Sequence, residues 1–249
     1  MKVLVACEES QRVCIEFRKL GHEAYSCDIE PCSGGHEEWH IQSDVLPLLN
    51  GNCSFMTVDG EGHEIAGKWD MIIAHPPCTY LTTCGNRSYS LKFNTPEKVI
   101  ERYKKRDEAV RFFVSIANAD CKRVVIENPQ GYMNTHFRKP EQTIHPYYFA
   151  DSTDDTENYH QKKTCLWIKG VEPLQRKNDL PKPPPLYICE GEKSKGKHIG
   201  WCEGMRGIKG GQKERAKARS KTFPGIAKAM AEQWGGVAEP QLTIKNLED

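Results

Sequence analysis

The sequence predicts an α/β fold whose mostly parallel sheet is covered by helices on both faces. Two observations lead there. Short runs such as "KVLVAC", "WDMIIAH" and "KRVVIENP" are close to continuously apolar, as strands buried on both faces are. Segments of helical periodicity separate them, and strand–helix alternation marks parallel strands joined by crossovers.

"KVLVAC" (Lys2–Cys7) is the first strand. "QRVCIEFRKLG" then carries Val13, Cys14, Phe17 and Leu20 at helical spacing, and Gly21 stops that helix. "HEAYSCD" is a second strand ending at Asp28; "WDMIIAH" and "KRVVIENP" are two more, each closed by proline. "TPEKVIERYKKRDEAVRFFVSIANA" is a long helix with Thr95 as its cap, Pro96 in the first helical position and Glu97 in the first turn. Its apolar face is Val99, Tyr103, Val110, Phe113 and Ile116, with Phe112 and Val114 alongside.

After residue 140 the pattern changes. "TIHPYYFAD" and "KKTCLWIKG" read as strands joined by the polar "STDDTENYHQ", an antiparallel edge on the sheet. "LPKPPPLYI" is an extended polyproline connector. A basic glycine-rich segment follows, and "TFPGIAKAMAEQWGG" is a closing helix with a glycine stop. The expected organisation is a core over 1–169, a proline-rich and basic segment over 170–222, a helix completing the core over 223–236, and a flexible tail over 237–249.

The totals narrow the class. Residues 191–221 hold ten Lys/Arg against three Glu, a net +7, so within a total of +1 the rest of the chain is −6. One concentrated basic segment on a mildly acidic chain fits local contact with phosphates, or a solvated loop. "MKVLVACEES" lacks the apolar stretch of a signal peptide, and no run approaches the roughly 20 apolar residues of a membrane span. The expected location is the cytoplasm, with no membrane partner. The eleven cysteines are odd in number and scattered, as befits small buried hydrophobes with one or two reactive thiols in a reducing compartment.

In a parallel sheet, ligands sit beyond the carboxyl ends of the strands. The residues closing the strands are Cys7–Glu8–Glu9–Ser10, Asp28, Pro76–Pro77–Cys78 and Glu127–Asn128–Pro129. Two prolines stiffen the backbone before Cys78, giving a nucleophilic thiol the defined place it needs. Glu127 closes the next strand. If these strands are neighbours, thiol and carboxyl face one pocket, where covalent addition to a planar ring can pair with protonation or hydrogen bonding elsewhere on it.

"PPC" after one apolar strand and "ENP" after the next resemble the signature of DNA cytosine-C5 methyltransferases. "LVACEESQ", "SCDIEP", "SDVLPLL", "AHPPCTYL" and "FPGIAKAMAEQWG" more closely resemble the short phage- and prophage-encoded cytosine methyltransferase-like proteins, over Lys2 to Gly235. The resemblance implies a class I, Rossmann-like methyltransferase sheet with S-adenosylmethionine as cofactor. It implies DNA as partner, as duplex with a flipped cytosine or as single strand. Cys78 matches the nucleophile that attacks C6, and Glu127 the carboxyl that hydrogen-bonds N3. The cofactor is assigned to Ala6, Cys7, Glu8, Glu9 and Ser10, with Glu8 or Glu9 meeting the methionine amine. Asp28 with Ile29 is assigned to the ribose, Asp44 with Val45 to the adenine side, and Pro76 to the same cavity. Pro77, Asn128, Pro129, Gln161 and Lys163 are assigned to the substrate.

The chain departs from the family pattern in three ways. "ACEESQ" has no glycine where a glycine-rich turn is usual. "QKKTC" puts Lys163 and Cys165 where two arginines are usual. Only residues 170–222 are left for target recognition, so phosphate contact and loose sequence preference are expected, with Tyr187 and Trp201 as packing residues or base-stacking platforms. "CDIEPCSGGHEEWH" spaces Cys27, Cys32, His36 and His40 as zinc ligands could be; the reading adopted is a cofactor-side loop without metal. Cys84 reads as a packing cysteine. Two other functions stay open: the same chemistry on a free cytidine nucleotide, and a non-catalytic nucleic-acid or partner-binding protein on a methyltransferase scaffold.

Overall fold

A computed structural model describes residues 1–192, 195–201 and 211–237. Among these the strands are β1 (Lys2–Ala6), β2 (Glu23–Asp28), β3 (His40–Gln42), β4 (Cys53–Met56), β5 (Gly62–Ile65), β6 (Met71–Ala74), β7 (Val124–Pro129), β8 (Gln142–Ile144), β9 (Thr164–Lys169), β10 (Tyr187–Ile188) and β11 (His198–Ile199). The helices are α1 (Arg12–Lys19), α2 (Pro96–Ala117), α3 (Met133–His136), α4 (Gly211–Ser220) and α5 (Pro224–Met230), which runs on into a π-helical turn at Ala231–Gly235. The tail beyond Val237, and residues 193–194 and 202–210 of the basic segment, lie outside the described residues.

Seven strands form one sheet in the order β3-β2-β1-β6-β7-β9-β8. The first five are mutually parallel, and β9 runs antiparallel to both of its neighbours. The expected antiparallel edge is present: β9 pairs antiparallel with β7 and with the three-residue β8, which forms the border. β9 is buried over Thr164–Ile168, so it belongs between partners, whereas a short edge strand leaves little unpaired backbone.

Alternate residues of the central strands feed two cores. Val3, Val5, Met71, Ile73 and Val125 pack with α1 and α5 through Phe17, Ile226 and Met230. Leu4, Ala6, Ile72, Ala74 and Ile126 pack on the other face with Phe113 and Ile116 of α2. Burial on both faces explains why these strands read as unbroken apolar runs.

Two details differ from the sequence reading. Tyr103 is half-exposed and Arg106 is buried in α2, because the Arg106 guanidinium lies 3.4 Å from the Tyr89 ring centroid and 4.6 Å from that of Tyr132. The β4–β5 hairpin was not apparent; it tucks Phe55 and Ile65 into the core beside Tyr25 and Trp69.

The glycine-free first loop bends at its own expense. Cys7 and Gln11 both have φ of 58°, a left-handed conformation that favours glycine. Gln11 is held there from outside: its amide donates to Ser26 Oγ at 3.2 Å and to the His36 carbonyl at 2.7 Å, and its Oε1 accepts from His36 N at 3.0 Å.

Candidate active site

Because β1, β2, β6 and β7 are parallel, their carboxyl ends open on the same side of the sheet. A cavity of about 320 Å³ lies there. After β1 it is walled by Cys7, Glu8, Glu9 and Ser10, after β2 by Asp28 and Glu30, and after β6 by His75, Pro77, Cys78 and Thr79. Lys217 and Ser220 of α4, with Lys221 and Thr222, close it opposite.

The Cys78 loop is tied to β7. Ala74 pairs with Ile126, so His75 and Glu127 are the next residues on adjacent strands and emerge on the same side. Asn128 Nδ2 donates to the Pro76 carbonyl at 2.7 Å. Four residues on, Tyr132 N donates to the Leu81 carbonyl at 2.6 Å, and Thr82 bridges Gly131. Only glycine fits at 131, where a Cβ would come within 1.9 Å of that same carbonyl oxygen. The Cys78 carbonyl accepts from Leu81 N at 3.0 Å and Thr82 N at 2.9 Å, which turns the chain just past the thiol.

Glu127 Oε2 approaches His75 Nδ1 to 3.1 Å, both side chains being about nine-tenths buried. The contact lies off the direction a hydrogen bond needs, and among the described residues neither Glu127 Oε2 nor His75 Nε2 has a hydrogen-bond partner. Burial alone would raise the Glu127 carboxyl, but His75, Lys162 and the Thr222 hydroxyl outweigh it and hold the group below the usual range. Burial alone would lower His75, but Glu127 and then Glu8 outweigh it, against Lys162, and the imidazole is raised. Burial pushes the Cys78 thiol up; Lys162 and Arg219 partly offset this and Glu127 adds to it. Thiol, carboxyl and imidazole thus belong to one electrostatic cluster.

The acid-rich end of the cavity contains the residues expected at a cofactor. Glu8 is engaged in structure: its Oε1 accepts from Val13 N at 2.7 Å and its Oε2 from Cys14 N at 3.2 Å, capping α1. Its pKa is raised to about 7, chiefly by burial. Glu9 is different. Both of its oxygens are buried without a hydrogen-bond partner among the described residues, with Lys217 Nζ 3.6 Å away. Asp28 has a carboxyl raised by burial, against a hydrogen bond from Glu30 N. An unsatisfied carboxylate beside a second one suits a ligand bearing an ammonium group and hydroxyls, the functional groups S-adenosylmethionine presents.

Other expected residues stand farther off. Ala6 and Val45 are buried in the core, Ile29 is 74% exposed, and the exposed Asp44 accepts from Leu46 N at 3.1 Å. Asn128, expected at the substrate, is 3% exposed and bonded to Pro76, so it joins the two strand ends and does not face the cavity; Pro129 continues β7 into the next loop. Gln161 and Lys163 line a separate cavity of about 350 Å³ with His145, Lys182 and Trp201. Their neighbour Lys162 instead donates from Nζ to the Arg219 carbonyl at 2.9 Å, and its charge acts on Cys78.

The four metal-spaced residues of the β2–β3 loop go separate ways. Cys27 Sγ donates to the Ser43 carbonyl at 3.4 Å, His36 stacks on Trp39, and His40 bonds Ser26 Oγ at 2.9 Å and the Glu30 carbonyl at 3.0 Å. Among the described residues no group of three or more His, Cys, Asp or Glu is placed to hold a metal. No helix among them is long and apolar enough to cross a membrane.

His75, Lys162, Thr222 and Arg219 are the site residues that sequence reasoning passed over. His75 had a readable signal, as a titratable residue closing a buried strand beside the fixed thiol. No protein-family model matches the chain, and no curated protein matches it.

Proposed function

We propose that this chain is a class I, S-adenosylmethionine-dependent methyltransferase acting on C5 of cytosine in DNA. The observation that carries the reading is the placement of Cys78 on a cavity with Glu127 one residue beyond the register that joins β6 to β7. The mostly parallel sheet with its antiparallel β9 is compatible with such a fold.

Cys78 bonds to C6 of the ring as a thiolate, and the positive charges of Lys162 and Arg219 favour that form against the cost of burial. Glu127, fixed on β7, meets N3 of the ring. The electron density pushed toward C5 then makes that carbon nucleophilic. S-adenosylmethionine, when bound, supplies the electrophilic methyl group for C5. Glu9 holds its ammonium group and Asp28 its ribose hydroxyls. Cysteine and carboxylate both require an unstacked ring, so the base is taken from a flipped or single-stranded position.

The basic segment supplies phosphate contact and little base reading, which supports loose sequence preference. Incubating DNA with protein and S-adenosylmethionine, then measuring nucleosides by mass spectrometry, tests the reading. Wild type is expected to form 5-methylcytosine and Cys78→Ser none; equal modification by both overturns it.

A further inference from the structure

We propose that the substrate is an unpaired strand of DNA, held along a row of three adjoining cavities that begins at Cys78. This rests on the cytosine reading above and narrows it, because a duplex with one flipped base fills only the first cavity.

The first cavity is the one that Cys78 lines, and Lys221 is part of its wall. Lys221 also walls a second cavity of about 300 Å³, with Arg12 and Phe223. His160 and Trp201 belong to that second wall and also to the cavity of about 350 Å³ that Lys163 and Lys182 line. Shared side chains thus set the three in a row, with Lys221 at one junction and the Trp201 indole at the other. The sheet explains why the row starts where it does. Thr164, the first residue of β9, pairs with Pro129, the last of β7. The segment before β9 is therefore brought to the end of the sheet where Glu127 and the Cys78 loop emerge.

Charge changes sign along the row. The first cavity carries Glu8, Glu9, Asp28 and Glu30, at the end assigned to the cofactor. Among the described residues lining the other two cavities, Glu157 is the one carboxylate, and it is exposed. Arg12, Lys163, Lys182 and Lys221 stand against it. His145, in the last cavity, has its Nδ1 buried with no hydrogen-bond partner among the described residues. Burial, then Lys182, Lys163 and Arg176, lower its imidazole, so positive charge converges on it. Such a lining suits the successive phosphates of a strand.

An aromatic face sits between the basic walls. Trp201 is part-buried, with its ring centroid 4.7 Å from that of Phe223, and Pro183, Pro184, Pro185 and Leu186 complete the last cavity. A charged groove for the backbone with an aromatic platform for the bases is how proteins hold single strands without reading their sequence. Cavities of this size fall at the low end of the ~300–1,000 Å³ of ligand pockets, enough for one nucleotide each. In a duplex the faces of neighbouring bases are covered by one another, so only an extruded base can enter.

Binding tests this without any methyl transfer. Fluorescence anisotropy is measured with a labelled single-stranded oligonucleotide of about twelve nucleotides, within the site sizes of such proteins, and with the duplex of the same sequence. The single strand is expected to bind about tenfold more tightly, as stacking on even one platform allows. Trp201→Ala is expected to lose about that factor. Trp201 also packs on Phe223, so a second variant keeps the test independent of folding. Lys163→Gln with Lys182→Gln alters two exposed side chains and should lower the salt slope of single-strand binding by about 1.4, the share of two phosphates. Equal affinity for the two forms of DNA, or a salt slope that the lysine variant leaves unchanged, overturns the proposal. A protein that prefers the single strand yet forms no 5-methylcytosine on it keeps the row of cavities and counts against the cytosine reading instead.

Discussion

Asn128 and Pro76 are joined by a 2.7 Å hydrogen bond from the amide of one to the backbone carbonyl of the other. It connects the strand that presents Glu127 to the loop that presents Cys78. The asparagine is 3% exposed and Pro76 is buried, so the bond has no water to replace it.

Asn128→Ala is therefore expected to cost about 1–3 kcal/mol of stability by leaving a buried carbonyl unsatisfied. Methyl transfer should fall further than S-adenosylmethionine binding, because the thiol and carboxyl lose their common reference. Urea denaturation and calorimetric titration with the cofactor measure the two effects separately.

Gly131→Ala acts on the same joint. The new Cβ would overlap the Leu81 carbonyl, so the loops must separate, at an expected cost of about 1–3 kcal/mol. Transfer should be lost at temperatures where circular dichroism still shows a folded protein.

Glu9 carries the cofactor side. Glu9→Gln keeps the shape and removes the charge that lies 3.6 Å from Lys217 Nζ and has no hydrogen-bond partner among the described residues. S-adenosylmethionine affinity should fall about tenfold or more, a loss of about 1.4 kcal/mol, while Glu127→Gln keeps affinity and loses turnover. The reverse pattern by calorimetry would exchange the roles of the two ends of the cavity.

Glu8 predicts a pH dependence of stability. Its carboxyl titrates near pH 7 in the folded protein against an ordinary 4.5, so the native state holds a proton that the unfolded chain has released between those values. Its contribution then declines as pH rises from about 4.5 to 7, by at most on the order of 3 kcal/mol. Denaturation midpoints of wild type and Glu8→Gln should diverge in favour of the variant over that window. Parallel curves would show that Glu8 is not perturbed.

Much of this was legible in the sequence, for physical reasons. β1, β2, β6 and β7 are short, doubly buried and stopped by proline or acid, so their ends could be placed; Cys78, Asp28 and the first loop line the cavity, and Glu127 lies beside the wall residue His75. The hairpin β4–β5 and the three-residue β3 were hidden, being too short and too polar for periodicity to show. His75 was in plain view, but its partner is 52 residues away, and only strand register brings them together. Lys162 and Lys163 could not be told apart until the direction of the segment before β9 was known. Asp44 and Ile29, assigned by resemblance, stand outside the cavity wall because the loops after β2 and β3 turn them to solvent.

The central claim is a bond from the sulfur of Cys78 to C6 of a cytosine ring. DNA carrying 5-fluorocytosine tests it most directly, because a fluorine at C5 cannot leave as a proton and the thiolate stays attached after transfer. With protein and S-adenosylmethionine, mass spectrometry of the digested complex should find the nucleotide on the peptide containing Cys78. A stable adduct on another cysteine, or methylated DNA formed with no adduct at all, would contradict it.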